Sequence, residues 1–417
     1  MKGDCMKKVI FSLLIAVLVV VGMVVPFVPE AKAGEEYVVT FFFADAPSDG
    51  GWNKAHDVGV RELQSLGVKI EEWDQGFVVE LPAGSKYQSI RVHLVTNVGY
   101  GDSIESIMRA ALESQHPDMV FGTWWDSKDA IATLAQEYSD VLFNHCSGYP
   151  VLKSTDPMFE KTQNVSTYFP RMYHADYQAG KAVGMLGFTK IGGVATYPIP
   201  EPVRGFNAFI AGVRAGREEA GLPETDLEFR LVWLFSWLNP ENEGLAADAL
   251  VAEGYEIIRQ GADTATASER ACAATPPVPA VGYGTAPTDA PCFIIANEWK
   301  WGTYYIRQVL RGIDGEWSPE DWYEEGTKIV FNESLDVVSQ EVRDAVMATP
   351  LEEVWSKDFY GYGHDPDGKE YQAFITGGTM TDEILLSMQV LDREIVTGEL
   401  IKSPLPQGVW IKYESTE

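Results

Sequence analysis

The sequence predicts an α/β fold made of two similar lobes, each a parallel sheet covered by helices. Three observations carry this. Apolar runs of strand length alternate with amphipathic runs of helix length, the pattern of parallel sheets buried on both faces. The alternation comes as two series, separated near residues 149–158, where Pro150 and Pro157 fall. Four apolar runs stop at tryptophan, at Trp52, Trp124/Trp125, Trp237 and Trp299. Ligands of open α/β sheets bind outside the carboxyl ends of the strands, so these flat rings are expected to converge on a flat ligand.

The first series opens with a buried strand at 37–44, followed by a helix at 53–66 with Ala55, Val58, Gly59, Leu63 and Leu66 on one face. A strand at 91–96 leads to a helix at 102–115. There Asp102 and Glu105 form a capping-box pattern, and Ile104, Ile107, Met108, Ala111 and Leu112 form the apolar stripe. A strand at 118–122, a helix at 127–137 and a strand at 141–145 complete the series.

The second series begins with a short strand at 165–169 and a helix at 173–187 carrying Ala175, Ala179, Gly180 and Gly184. Next come a strand at 193–197 and a helix at 203–220 preceded by Pro198, Pro200 and Pro202. A strand at 227–235, a helix at 240–252 with proline in its first turn, and a strand at 255–260 follow. A strand at 292–296 and a helix at 302–311 close the pattern.

Residues 34–150 are therefore expected to form lobe 1, with a return segment at about 281–315. Residues 151–280 form lobe 2, with a return at about 316–350. Segments 74–87, 273–290 and about 352–379 are rich in Gly, Pro, Asp and aromatics and read as inserted loops. Residues 381–397 read as a last helix within a C-terminal extension, 351–417.

The chain has 417 residues, enough for about two or three domains. Residues 1–33 read as a secretory signal: Lys7 and Lys8, an apolar run at 9–25, then Ala31-Lys32-Ala33 as a cleavage site. Left uncleaved, the run is long enough for a membrane anchor. An exported, periplasmic or cell-surface protein is expected. Cys5 precedes the run, where no lipid-anchor cysteine would lie. Cys146 ends an apolar run and reads as core. Cys272 and Cys292 flank a Pro-rich loop and are either bridged across it or two separate buried thiols. The net charge of −29 argues against nucleic acid and against anionic lipid.

Motifs for catalysis are missing. The sequence holds no G-x-x-x-x-G-K-[ST] phosphate loop and no G-x-S-x-G elbow, and its six histidines show no zinc spacing. Asp365-Pro366-Asp367-Gly368 lacks a calcium-loop register and reads as a turn. No enzyme, cofactor or metal is expected.

The candidate binding residues lie at strand ends. Trp52 and Asn53 follow Asp49-Gly50-Gly51 at the opening of a helix, where free N–H groups are expected. Two successive tryptophans cannot both face one core in an extended segment, so of Trp124 and Trp125 at least one faces the cleft or surface. Asp126 follows them, as either a cap or a ligand contact. Strand alternation puts Trp233, Phe235 and Trp237 on one side, with Trp237 at the carboxyl end. Asp263 holds the equivalent place after its strand, able to accept from a ligand N–H.

At these residues the chain resembles the basic membrane protein (Bmp) family of exported purine and purine-nucleoside receptors, the solute-binding components of ABC importers. The resemblance runs from about residue 38 to 315. Its segments are Gly51-Trp52-Asn53, the run from Tyr168 to Tyr173, the proline-rich run from Tyr197 into Arg204-Gly205-Phe206-Asn207, residues 232–240 and 260–263, and Asn297-Glu298-Trp299. The proline-rich run is the most specific.

The resemblance implies two Rossmann-like lobes of the type I periplasmic binding protein kind, with a hinge and a ligand cleft between them. It implies Trp52 and Trp237 as stacking rings, Asp126 and Asp263 as polar contacts, and Arg171 and Tyr173 as further ligand-site positions with either a binding or a hinge and lobe-packing role; Arg204 matches a family position and reads as structural. Trp299 completes the set. The implied partners are a purine-like small molecule and a membrane permease, for a monomer. Three departures stand out. The family's lipid-anchor cysteine is missing. Its glycine-rich segment is replaced by Ala262-Asp263-Thr264-Ala265-Thr266-Ala267, which favours a free base such as adenine over a riboside. Inserted loops and the C-terminal extension alter access to the cleft. Alternatives from other classes are an exported nucleoside or glycoside hydrolase and an extracellular small-molecule sensor.

Overall fold

A computed structural model describes residues 36–146, 163–197, 200–223, 227–319 and 326–351. The expected signal segment, the expected break at 149–158 and the expected C-terminal helix and extension lie outside these residues. Two sheets organise the chain. The first contains β1 (Glu36–Phe42), β2 (Val68–Trp73), β3 (Gly76–Glu80), β4 (Ser89–Val95), β5 (Met119–Gly122), β6 (Leu142–Cys146) and β7 (Val165–Tyr168), in spatial order β2-β3-β4-β1-β5-β6-β7. Strands β4, β1, β5, β6 and β7 run parallel; β2 and β3 form an antiparallel edge hairpin.

The second sheet contains β8 (Lys190–Ala195), β9 (Glu228–Trp233), β10 (Ile257–Gly261), β11 (Ala280–Gly284), β12 (Phe293–Trp299) and β13 (Thr327–Phe331), in order β13-β12-β11-β10-β8-β9. All are parallel except β13.

Helices cover both faces of each sheet. On the first sheet, α1 (Trp52–Arg61) lies over one face and α2 (Ile104–Gln115) and α3 (Lys128–Glu137) over the other. On the second, α4 (Met172–Met185) and α5 (Pro200–Glu219) lie over one face, and α6 (Pro240–Ala252) and α7 (Thr266–Ala273) over the other. The helix α8 (Trp301–Asp314) returns to the first sheet, where Trp301, Tyr304, Tyr305 and Val309 pack with Tyr37 and Phe41. The last described helix, α9 (Gln340–Met347), covers α4.

Several expectations are corrected. The strand at 165–168 belongs to the first sheet, beside β6, so the chain crosses at 169–171 and not near 150. Both β11 and β12 belong to the second sheet, so the return to lobe 1 is α8 alone. The expected loop 74–87 contains β3, whose partner β2 is exposed along almost its whole length, Val68 and Ile70 included. The expected loop 273–290 contains the buried β11. It reads as loop because Gly282 and Gly284 break the apolar run, yet Pro287 and Ala296 leave no room for a Cβ at Gly282. The capping box at α2 is not formed: no side chain caps it, and Glu105 pairs with Arg109. Pro200 opens α5 rather than preceding it.

Cys272 and Cys292 are joined, across a separation of 20 residues, and Cys146 is buried. Helices α4 and α5 cross at backbone contact. A Cβ on Gly180 would lie 1.9 Å from the Phe209 carbonyl oxygen, and one on Gly184 would lie 2.0 Å from that of Val213. Gly180→Ala is expected to force the helices apart and cost about 1–3 kcal/mol, read as a lower midpoint in chemical denaturation.

Candidate functional site

The first lobe's half of the site is built on the turn between β1 and α1. Gly50, at φ 76, supplies a left-handed backbone that other residues adopt at a cost. Asp49 then caps α1 from three residues back. Its carboxylate accepts from the backbone N–H groups of Gly51 (3.1 Å), Asn53 (2.8 Å) and Lys54 (3.0 Å), and from Asn53 Nδ2 (2.8 Å). The free N–H groups expected at this helix start are therefore occupied. Burial pushes the Asp49 carboxyl up, and those hydrogen bonds pull it back. Asn53 is buried, and its Oδ1 accepts from the Asp45 N–H at 3.4 Å.

Trp52 is held rather than loose. Its Nε1 donates to the Thr123 carbonyl at 2.9 Å. Its ring stands edge-on to Trp299 (5.8 Å) and Trp301 (5.6 Å) and lies 6.5 Å from Phe169 at 25°. After β5, Trp124 is buried in the core while Trp125 keeps partial exposure, with the Lys128 ammonium 5.2 Å from its ring centre. The two neighbours thus face different ways, as expected. Ser127 Oγ donates to the Trp124 carbonyl at 2.7 Å.

Tyr100, from the loop after β4, lies in the field of carboxylates from both lobes. Its hydroxyl donates to Asp45 Oδ2 at 2.6 Å. Burial raises this phenol, and so do the Asp45 hydrogen bond and the negative fields of Asp263, Asp45 and Asp126. Asp45 follows β1, Asp126 follows β5 and Asp263 follows β10, so three strand ends deliver carboxylates to one neighbourhood.

In the second lobe, β9 stops at the buried Trp233. Phe235 takes φ 51 and turns the chain. Trp237 therefore does not continue the strand alternation; it reaches its place through this turn, half-buried, 4.9 Å from the Tyr197 ring at the end of β8. The Asp263 carbonyl accepts the Trp52 backbone N–H at 3.2 Å, and Thr285 Oγ1 donates to the Gly50 carbonyl at 2.8 Å, so the lobes touch here.

The ten candidate residues thus separate into groups. Trp52, Trp125, Asp126, Trp237 and Asp263 stand at strand ends with partial exposure. Asn53, Trp124, Tyr173 and Trp299 are buried: Tyr173 lies under the Arg204 guanidinium at 5.1 Å, and Trp299 stacks on Trp301 at 4.7 Å. Arg171 sits at the first crossing, before α4. Asp45 and Tyr100 were not singled out from sequence, and Tyr197 only as the start of the proline-rich run. Asp45 closes the first strand run, and Tyr100 lies between Gly99 and Gly101, both of which were readable cues.

His56 and His145 are fully buried, and burial holds both imidazoles below their ordinary range, His145 at about 3. His56 stacks on Trp301 at 4.3 Å, with Nδ1 2.5 Å from the Tyr305 hydroxyl. Both are packing groups. No cluster of metal-ligating side chains occurs among the described residues, and no helix among them is long and apolar enough to cross a membrane.

Two wound α/β lobes, crossed by the chain at 169–171, at 299–301 and between 314 and 327, define the type I periplasmic binding protein class. Solved structures share this fold. A solute-binding protein of an ABC transporter system from Conexibacter woesei superposes with a TM-score of 0.57 at 18% identity, covering 76% of this chain and 95% of that one. One from Aeropyrum pernix gives 0.55 at 15%, covering 90% and 94%. Within this class, the chain belongs to the Bmp family, described as PnrA-like ABC transporter substrate-binding proteins, whose family model matches residues 37–271. Two curated relatives are similar to it. A putative ABC transporter glucose-binding protein of Haloferax volcanii is 30% identical over 62% of this chain and 65% of its own length. A purine-binding protein of Brucella abortus is 28% identical over 70% of this chain and 74% of its own.

Proposed function

We propose that this chain is the exported solute receptor of an ABC importer. It captures a purine-like base or nucleoside between its lobes, adenine-like ligands being favoured, and presents it to a membrane permease without covalent chemistry. The observation that carries this reading is the company of aromatic rings and carboxylates at strand ends of both sheets: Trp52, Trp125, Tyr197 and Trp237 with Asp45, Asp126 and Asp263. Flat rings stack on a flat heterocycle, and carboxylates accept from its N–H edge. The relative described as purine-binding supports the same choice. Family membership favours capture over the hydrolase alternative.

A hexose is the second reading, favoured by the relative described as glucose-binding. Aromatic rings and carboxylates also suit the apolar face and hydroxyls of a pyranose. Titration calorimetry with adenine, guanine, hypoxanthine, their nucleosides and glucose decides between them. Heat from glucose alone would end the purine reading. The carboxylates also predict rejection of anions. A nucleoside 5′-monophosphate is expected to bind at least about tenfold more weakly than its nucleoside, because like charges brought together cost several kcal/mol.

A further inference from the structure

We propose that the turn 49–52 of the first lobe and the turn 263–264 of the second form a backbone latch that holds the lobes shut, and that Glu243 sets its strength by fixing Thr264. The contact is close. A Cβ on Gly51 would lie 1.9 Å from the Asp263 carbonyl oxygen and 2.5 Å from its carbon, so glycine here admits the opposite lobe's backbone rather than a ligand. The Trp52 N–H donates to that same carbonyl at 3.2 Å, and Thr285 Oγ1 donates to the Gly50 carbonyl at 2.8 Å. The Asp49 carboxylate, gripping the N–H groups of Gly51, Asn53 and Lys54, fixes the shape of the first turn.

Glu243 does the same for the second turn. It lies in the first turns of α6 and is fully buried. Its Oε2 accepts from Thr264 Oγ1 at 2.5 Å, and the Asn239 backbone also draws on the carboxylate. Thr264 directly follows Asp263, so the carboxyl stands behind the latch and positions it.

The charges around Glu243 make the latch respond to protons. Asp49 faces it across the seam and Glu269 faces it from α7. Glu241 shares its own helix turn. Arg270 of α7, which packs against this helix turn beside Gly244, is engaged with Asp248. Burial first, then the repulsion of Asp49 and Glu269, push the Glu243 carboxyl to about 7, against the pull of Thr264 and of the Asn239 backbone. Opening the lobes admits water and moves Asp49 away, which lowers that value. The closed form therefore binds the extra proton. Closure is fully favoured in acid and weakens as pH rises through about 7, by about tenfold in its equilibrium constant between pH 6 and pH 8.

Small-angle X-ray scattering of the ligand-free full chain tests this. The wild-type radius of gyration is expected to be small at pH 6 and to grow at pH 8. Glu243→Gln, which keeps the Thr264 bond without the charge, should stay compact at both. Gly51→Ala should be expanded at both. A Gly51→Ala protein as compact as wild type at pH 6, a wild type without pH response, or a Glu243→Gln protein that keeps the wild-type response would each overturn the proposal. No solute is added, so the outcome is separate from the ligand assignment.

Discussion

Asp176→Ala is expected to destabilise the protein by about 3–5 kcal/mol, the cost of stranding a buried charge. Asp176 on α4 and Arg259 on β10 are both buried and joined by a salt bridge, with Asn297 Nδ2 of β12 donating to the same Asp176 oxygen. The Arg259 guanidinium lies 3.8 Å from the Phe206 ring centre, and Phe209 and Tyr283 also surround it. A Cβ on Gly205 would lie 2.6 Å from Asp176 Oδ2, so the first turns of α5 close over the pair. Burial pushes the Asp176 carboxyl up to about 6, outweighing the pull of Arg259 and Arg204. Taking this carboxylate out of water thus costs more than its partners return.

It follows that the pair adds little net stability, yet neither member can be removed alone. Chemical denaturation checks this with two variants. The single Asp176→Ala change should lower the midpoint sharply. Asp176→Leu with Arg259→Met should recover most of the loss, because both charges leave together. The sign of the pH effect follows from the raised carboxyl. Relative to an unfolded aspartate, the native state holds its proton to higher pH, so this site's contribution is most favourable in mild acid and declines as pH rises through about 6.

Much of the fold was legible because its central strands carry long apolar runs. Strand β1, with Tyr37, Val39, Phe41 and Phe42 buried, reads as a strand covered on both sides. What escaped the sequence was what non-local partners decide. Strand β2 is exposed along almost its whole length despite Val68 and Ile70, and the short apolar run of β3 is placed by its pairing with β4. Nothing local to residues 165–168 says that their partner is β6 rather than β8.

The site was legible in the same uneven way. Rings do stand at or just past strand ends, but period-two alternation does not report which rings the opposite lobe covers. Trp299 ends β12, three residues beyond the expected strand end at 296, and is buried against Trp301 and Phe169, because α8 brings its own aromatic residues to the seam. The Asp49 cap escaped because its carboxylate reaches over two glycines to N–H groups as far as Lys54, a longer reach than an ordinary N-cap.

Trp237→Ala is expected to weaken binding of the purine-like ligand by about ten- to a hundredfold, the loss of one stacking partner worth about 1–3 kcal/mol. Thermal stability should move little, since the ring is half-buried and packs chiefly on Tyr197. Trp52→Ala should lose affinity to a similar degree, but with a lower melting temperature. Its ring also supports Trp299, Trp301 and Phe169, and its Nε1 ties down the Thr123 carbonyl. Trp52→Phe separates the two roles: it keeps an aromatic face and deletes the hydrogen bond, so affinity should be largely retained while stability drops by about 1 kcal/mol. Calorimetry and thermal unfolding on the same samples read both quantities. If Trp237→Ala and Trp52→Ala both bind like wild type, the ligand does not rest on these rings, and the stacking assignment fails.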